Sequence, residues 1–146
     1  MFLQKLDEAG ILDNSVVVIT GDHTGVHKYY NSSIEKLSKT EDWWLDNGEP
    51  NVPLLIYDKS ANVSKTFDNV YAGQIDIMPT VLYMLGVDKS EYENTALGRN
   101  LLNTNINCTI TTNGKIRGNA SDEDAIQLKN ILELSGKMIS ANYFDK

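Results

Sequence analysis

The sequence predicts an α/β fold: a partial, mainly parallel sheet, with a β-hairpin and a long helix at the C-terminal end. Three observations carry this. Val16-Val17-Val18-Ile19 and Val52-Pro53-Leu54-Leu55-Ile56-Tyr57 are short, continuous apolar runs, the pattern of strands buried on both faces and typical of parallel sheets. Gln74 to Gly86 carries apolar residues at helical spacing. Thr109 to Ile116 sets Asn113-Gly114 between β-prone residues, the signal of a hairpin closed by a type I′ turn.

The elements follow in order. Phe2, Leu3, Leu6 and Ala9 fall on one face of a short helix that Gly10 is placed to end. Leu12-Asp13-Asn14 makes a turn, and the first strand, Val16–Ile19, stops abruptly at Thr20-Gly21. Residues 26–50 mix charges with Tyr29, Tyr30, Trp43 and Trp44. They read as a long loop with a helical turn near Ser33–Leu37. The aromatic pairs there are either core packing or a rim that touches lipid or sugar. Pro53 is tolerable near the start of the second strand. Asp76 is placed to cap the helix that follows, Pro79 lies in or just past its first turn, and Val81, Leu82 and Leu85 supply its apolar face. Ser121-Asp122-Glu123-Asp124 caps a last helix of roughly 20 residues, with Ile126, Leu128, Ile131, Leu132, Leu134 and Met138 as packing positions.

Composition narrows the function classes. The chain has 146 residues, 41% hydrophobic and 23% charged, which is ordinary for a soluble globular protein and argues against wholesale disorder. Twenty acidic against 13 basic side chains give a net charge of −7, and a diffuse negative field repels phosphate backbones, so no nucleic-acid partner is expected. No apolar run approaches the roughly 18–20 residues that span a bilayer, and the charged start of the chain shows no signal peptide. Cys108 is the single cysteine, which excludes an intrachain disulfide and a cysteine-built zinc site.

The chemistry concentrates where the first strand ends, at Gly21-Asp22-His23-Thr24-Gly25. In open α/β sheets ligands bind beyond the carboxyl ends of strands. Neighbouring side chains of an extended strand point to opposite faces, so Asp22 and His23 can meet one ion only if the chain turns, which Gly21 and Gly25 permit. A carboxylate oxygen with an imidazole nitrogen suits manganese or zinc better than calcium. An Asx turn beside a surface histidine is the alternative reading. His27 is either a polar loop residue or lines the same pocket, where it would touch substrate.

Gln74-Ile75-Asp76-Ile77-Met78-Pro79-Thr80, followed by Leu82, Leu85 and Gly86, resembles the "Asp-Ile-x-Pro-Thr, then Leu, then Gly" helix of sulfatases. Asn51 to Tyr57 resembles the strand that precedes it there, and Leu97-Gly98-Arg99-Asn100-Leu101-Leu102 the family's downstream Gly-x-x-Leu turn. All three follow a strand ending in Gly-Asp-His, and four motifs in order are far more specific than any one. Asp22-His23-Thr24-Gly25 is most similar to the branch of the alkaline phosphatase superfamily that holds lipoteichoic acid synthases and related phosphoglycerol transferases. The resemblance covers about residues 2–103. It divides the chain into 1–105, the C-terminal portion of a sulfatase-like catalytic domain, and 106–146, a hairpin and helix extension.

The resemblance implies a three-layer α/β/α sandwich and a metal-dependent transferase. Asp22 and His23 would be two ligands of a divalent metal: manganese first, with calcium, magnesium and zinc as alternatives. The metal would activate a threonine nucleophile. Glycerol phosphate would pass from phosphatidylglycerol, through a covalent threonine intermediate, to a glycolipid or growing polymer. In the family the nucleophile and the remaining ligands lie upstream of the Asp-His strand, so the chain is expected to be a C-terminal fragment, inactive alone. Its parent would be membrane-anchored with an extracellular catalytic domain. A partial sheet would leave an apolar face exposed, a surface for dimerisation. The competing readings are a fragment of a sulfatase or phosphodiesterase hydrolase of the same superfamily, and a non-catalytic interaction module with a degenerate site.

Overall fold

The computed structural model describes residues 2–23, 30–36 and 51–145. They fall into two compact units, residues 1–63 and 64–146. The sequence division at 105/106 lies inside the second unit.

In the first unit, helix α1 (Phe2–Glu8) ends at Gly10, whose φ of 71° is the left-handed conformation glycine tolerates best. A 3₁₀ turn, Ile11–Asn14, buries Leu12 and leads into strand β1 (Val16–Thr20). Helix α2 is a single turn, Asn31–Ile34, with Ile34 buried. Strand β2 (Leu54–Asp58) pairs with β1 in the register Val16↔Asp58 through Thr20↔Leu54.

That pairing is antiparallel, which corrects the expected parallel sense among the described strands. A continuous apolar run reports burial on both faces and not strand direction. Burial itself is incomplete: Val16, Val17 and Val18 are half-buried, while Ile19, Leu54, Leu55 and Tyr57 are exposed. The antiparallel sense has a consequence for the site, because it brings the carboxyl end of β1 beside the entry to β2.

Lys59 ties these pieces together. Its ammonium donates to Asp7 and Asp13, both at 2.6 Å, so it joins α1, the 3₁₀ turn and the end of β2. The hydrogen bonds to Asp13 and then Asp7 hold that ammonium well above the usual lysine range. Asp58 accepts from Ser60 N at 2.8 Å and Ser60 Oγ at 2.7 Å, which starts the 3₁₀ turn Lys59–Ala61 and lowers the carboxyl's pKa.

The second unit is built around helix α3 (Ile77–Met84) and the hairpin of β3 (Asn107–Ile110) and β4 (Ile116–Asn119). A 3₁₀ turn, Gln74–Asp76, precedes α3. The helix buries Pro79 and Thr80, while Leu85 is exposed and Val81 and Leu82 are only half-buried. The expected apolar face therefore yields to a polar residue whose hydroxyl is fully engaged: Thr80 Oγ1 donates to Asp76 O at 2.6 Å and accepts from Leu101 N at 3.0 Å.

The hairpin is present, but its turn is not type I′. Only Gly114 has positive φ (82°), Gly114 N donates to Thr111 O at 2.9 Å, and Thr111 N donates to Lys115 O at 2.9 Å. This is a three-residue loop closed by a left-handed glycine. A type I′ turn needs positive φ at Asn113 as well, and here the Asn113 carboxamide oxygen instead accepts from Thr111 Oγ1 and Lys115 N. Asn107 Nδ2 donates to Asn69 O and its Oδ1 accepts from Tyr71 N, at 2.9 and 2.8 Å, so the hairpin is stitched to the chain before α3.

Helix α4 (Asp122–Ser140) opens as the sequence predicts. Ser121 Oγ accepts from Asp124 N at 3.1 Å, and the Asp124 carboxylate accepts from Ser121 N at 2.9 Å. The reciprocal pair is a capping box with Asp in place of Glu, and the Ser121 hydrogen bonds lower the Asp124 pKa. Leu128 is buried and Ile131, Leu132 and Met138 are half-buried, whereas Ile126 and Leu134 point to solvent. Ser121→Ala should destabilise the second unit by about 1 kcal/mol, the usual worth of an N-cap side chain. A urea titration followed by circular dichroism checks it.

Candidate metal centre at the end of β1

The site is assembled by a short local path. β1 runs to Thr20, opposite Leu54, and the chain bends at Asp22 and His23. The bend brings the two side chains to the same side, with His23 Nε2 3.8 Å from Asp22 Oδ1. The Asp22 side chain is 97% exposed and that of His23 59%, so both donors stand at the surface of the described residues.

This geometry can be tested against a metal. Metal–donor distances of about 2.0–2.2 Å allow two donors of one ion to stand at most about 4.3 Å apart. The observed 3.8 Å lies inside that limit, and it is wider than the spacing of adjacent donors in regular coordination by an amount that a small rotation of an exposed side chain removes. A hard carboxylate oxygen with an imidazole nitrogen is a donor set for manganese or zinc. The pair fits a divalent cation as two ligands. No third His, Cys, Asp or Glu completes a cluster among the described residues.

Gly21 precedes the bend, and its part in it is not conformational freedom. Its φ is not among the positive values of the described glycines. What it lacks is room: a Cβ at residue 21 would stand 3.2 Å from Val52 Cβ and Cγ1 and 3.3 Å from His23 O. Sequence reasoning missed Val52 as part of the site, although its place just ahead of the second apolar run was the available signal. Thr24, Gly25, His27, Tyr29, Trp43 and Trp44 lie outside the described residues.

In the second unit the motif helix and the Gly-x-x-Leu turn are brought together. Asp76 stands at the N-cap position of α3, as expected, but its side chain is engaged elsewhere. Its buried carboxylate accepts from Gly73 N through Oδ2 at 2.9 Å and from Arg99 N through Oδ1 at 2.8 Å, and makes no side-chain cap to α3. Arg99 Nη2 donates to Tyr71 O and Cys108 O, both at 2.8 Å, and stands 4.0 Å from Asp76 Oδ2. Arg99 was not singled out from the sequence as a functional residue. The structure makes it the link between α3 and the hairpin. Cys108 is fully buried beside it, and burial pushes its thiol pKa up, which suits an inert core residue.

A strand ending in an exposed Asp-His pair, followed by the Asp76 helix, defines a class, and comparison with known proteins agrees with it. The sulfatase family model matches residues 1–87, and the chain belongs to the sulfatase family. Within it, the chain is 38% identical over 96 residues to lipoteichoic acid synthase 1 of Bacillus subtilis, covering 64% of this chain and 14% of that protein. It is 36% identical over 112 residues to the lipoteichoic acid synthase of Staphylococcus saprophyticus, covering 75% of this chain and 16% of the relative. For the lipoteichoic acid synthase of Staphylococcus aureus strain USA300 the values are 35% over 94 residues, 62% and 14%. The matches thus span about one-seventh of the length of these relatives. Leu97–Leu102 lies beyond the family match, yet it is hydrogen-bonded to the Asp76 helix within it. No helix among the described residues is long and apolar enough to cross a membrane.

Proposed function

We propose that this chain supplies part of the metal centre of a longer phosphoglycerol transferase of the lipoteichoic acid synthase type. The observation that carries the proposal is the Asp22–His23 pair, 3.8 Å apart at the carboxyl end of β1 and inside the segment matched to the sulfatase family. Identity of 35–38% to lipoteichoic acid synthases supports the choice of branch. Asp22 Oδ1 and His23 Nε2 would hold a divalent cation, manganese by preference. When bound, the cation supplies charge stabilisation at a phosphoryl group and lowers the pKa of an attacking hydroxyl.

The residues of this chain bind and orient. Asp22 contributes negative charge and His23 a neutral nitrogen, which requires the imidazole to be unprotonated when the metal is bound. The nucleophilic threonine and the other ligands come from residues outside this segment. The donor is phosphatidylglycerol, the acceptor a glycolipid or growing polymer, and the whole protein is anchored in a membrane with its catalytic domain outside the cell. The segment alone turns nothing over.

Two measurements test this. In a manganese titration of the chain followed by paramagnetic broadening of the His23 imidazole protons, Asp22→Asn should weaken the apparent affinity by at least about tenfold; equal broadening in both proteins rules out Asp22 as a ligand. Residues 1–87 grafted in place of the matching segment of the Bacillus subtilis relative should support glycerol phosphate polymer formation, and the graft carrying Asp22→Asn should not. A graft that only hydrolyses phosphate or sulfate esters would favour the hydrolase reading.

A further inference from the structure

Gly21 and Val52 lie on different segments, and each leaves just enough space for the other. The antiparallel register sets Thr20 opposite Leu54, so the residue that follows β1 passes beside the chain entering β2. An alanine methyl at residue 21 would meet two walls: Val52 Cβ and Cγ1 at 3.2 Å, and the backbone oxygen of His23 itself at 3.3 Å. Ordinary van der Waals contact begins a few tenths of an ångström farther out. One wall must give, and one of the two is the backbone of a proposed ligand. Since Gly21 does not have positive φ, an alanine there meets a steric obstacle and not a backbone one.

We infer that Val52 is a positioning residue for the Asp22–His23 pair: its side chain closes the space beside residue 21, so only glycine lets the bend bring the carboxylate and the imidazole to one cation. The inference rests on the metal-site reading above. It assigns a role to a side chain that touches neither donor atom, and it predicts a coupling that a merely structural valine would not show. Removing the Val52 side chain should restore what a methyl at residue 21 removes: alanine at residue 52 would still leave Cβ at 3.2 Å, whereas glycine clears both Cβ and Cγ1 and leaves room for the added carbon.

The test is a manganese titration of the full chain, read by paramagnetic broadening of the His23 imidazole protons, in the wild type, Asp22→Asn, Gly21→Ala, Val52→Gly and the Gly21→Ala/Val52→Gly double variant. Gly21→Ala should weaken the apparent affinity about tenfold, as loss of ligand support does at other metal sites. Val52→Gly alone should change it by less than about threefold, and the double variant should return to within about threefold of wild type. Wild-type affinity in Gly21→Ala, or a double variant as weak as Gly21→Ala, overturns the positioning role. Those results leave the metal site standing if Asp22→Asn still weakens binding. An Asp22→Asn protein that binds like wild type overturns the metal-site reading and the positioning role with it. The amide spectrum recorded in the same titration reports folding, and Gly21→Ala/Val52→Ala, which removes the Cγ1 contact alone, adds a second pair with a partial return should the Val52→Gly double variant fail to fold.

Discussion

Gly98→Ala is expected to cost the second unit at least about 3 kcal/mol. A Cβ at residue 98 would lie far inside van der Waals contact with the carbonyl of Ile75 and 2.7 Å from Asp76 N. Neither atom can retreat. Ile75 sits inside the 3₁₀ turn Gln74–Asp76, Asp76 N is bonded to Gly73 O at 3.0 Å, and the Asp76 carboxylate holds Gly73 N and Arg99 N on either side. The methyl must therefore break the turn or push the Arg99 strap away from it. Gly136→Ala is the control. It lies in α4 with nothing within 4 Å of the added carbon, and the helix propensity of alanine should stabilise it by up to about 1 kcal/mol. Urea denaturation of the two variants should move in opposite directions. Cys108, the lone thiol and fully buried, gives an independent readout, because native-state alkylation by iodoacetamide reports opening of the core around it. A Gly98→Ala midpoint equal to wild type would show that the close approach is not a constraint.

Much of the architecture is legible in the sequence because it is set locally. The Ser121 cap, the α4 span, the end of α1 at Gly10 and the existence of the hairpin all follow from propensities within a few residues, and each is found. What was not legible depends on partners distant in sequence. The pairing sense of β1 and β2 is one such feature, since an apolar run of either sense looks alike. The burial of Thr80 is another, because it depends on Leu101 N arriving 21 residues later. The turn type at Asn113-Gly114 was misjudged because Asn-Gly serves both type I′ turns and left-handed glycine closures, and here the Asn113 side chain is tied to Thr111 and Lys115. At the candidate site the residue types and their spacing could be read directly, and the structure places Asp22 and His23 on one side of a bend. The wall that shapes the bend, Val52, comes from another strand entry and carries no chemical signature of its own.

The second large effect is at Asp76, where a family motif and a buried charge coincide. Asp76→Ala should destabilise the second unit by about 3–5 kcal/mol. The carboxylate is 4% exposed and is the acceptor for two backbone N–H groups, Gly73 at 2.9 Å and Arg99 at 2.8 Å. Removing it strands both donors, each at a cost of about 1–3 kcal/mol. It also leaves the Arg99 guanidinium, 19% exposed and with Nε already buried without a hydrogen-bond partner, facing the lost charge. Asp76→Asn keeps one carbonyl acceptor but turns an NH₂ toward the other donor, so it should fall between wild type and alanine. The effect should also be coupled to Arg99. In a double-mutant cycle with Arg99→Leu, the joint loss should be smaller than the sum of the single losses, because the first change already frees the strap that the second would free. Strict additivity would mean that the two residues stabilise separate parts of the unit. The "Asp-Ile-x-Pro-Thr" helix and the Gly-x-x-Leu turn would then be neighbours without being one device. Coupling would mean that the motif residue Asp76 holds the strap that carries the guanidinium to the hairpin, and that this part of the motif is written for folding and not for chemistry.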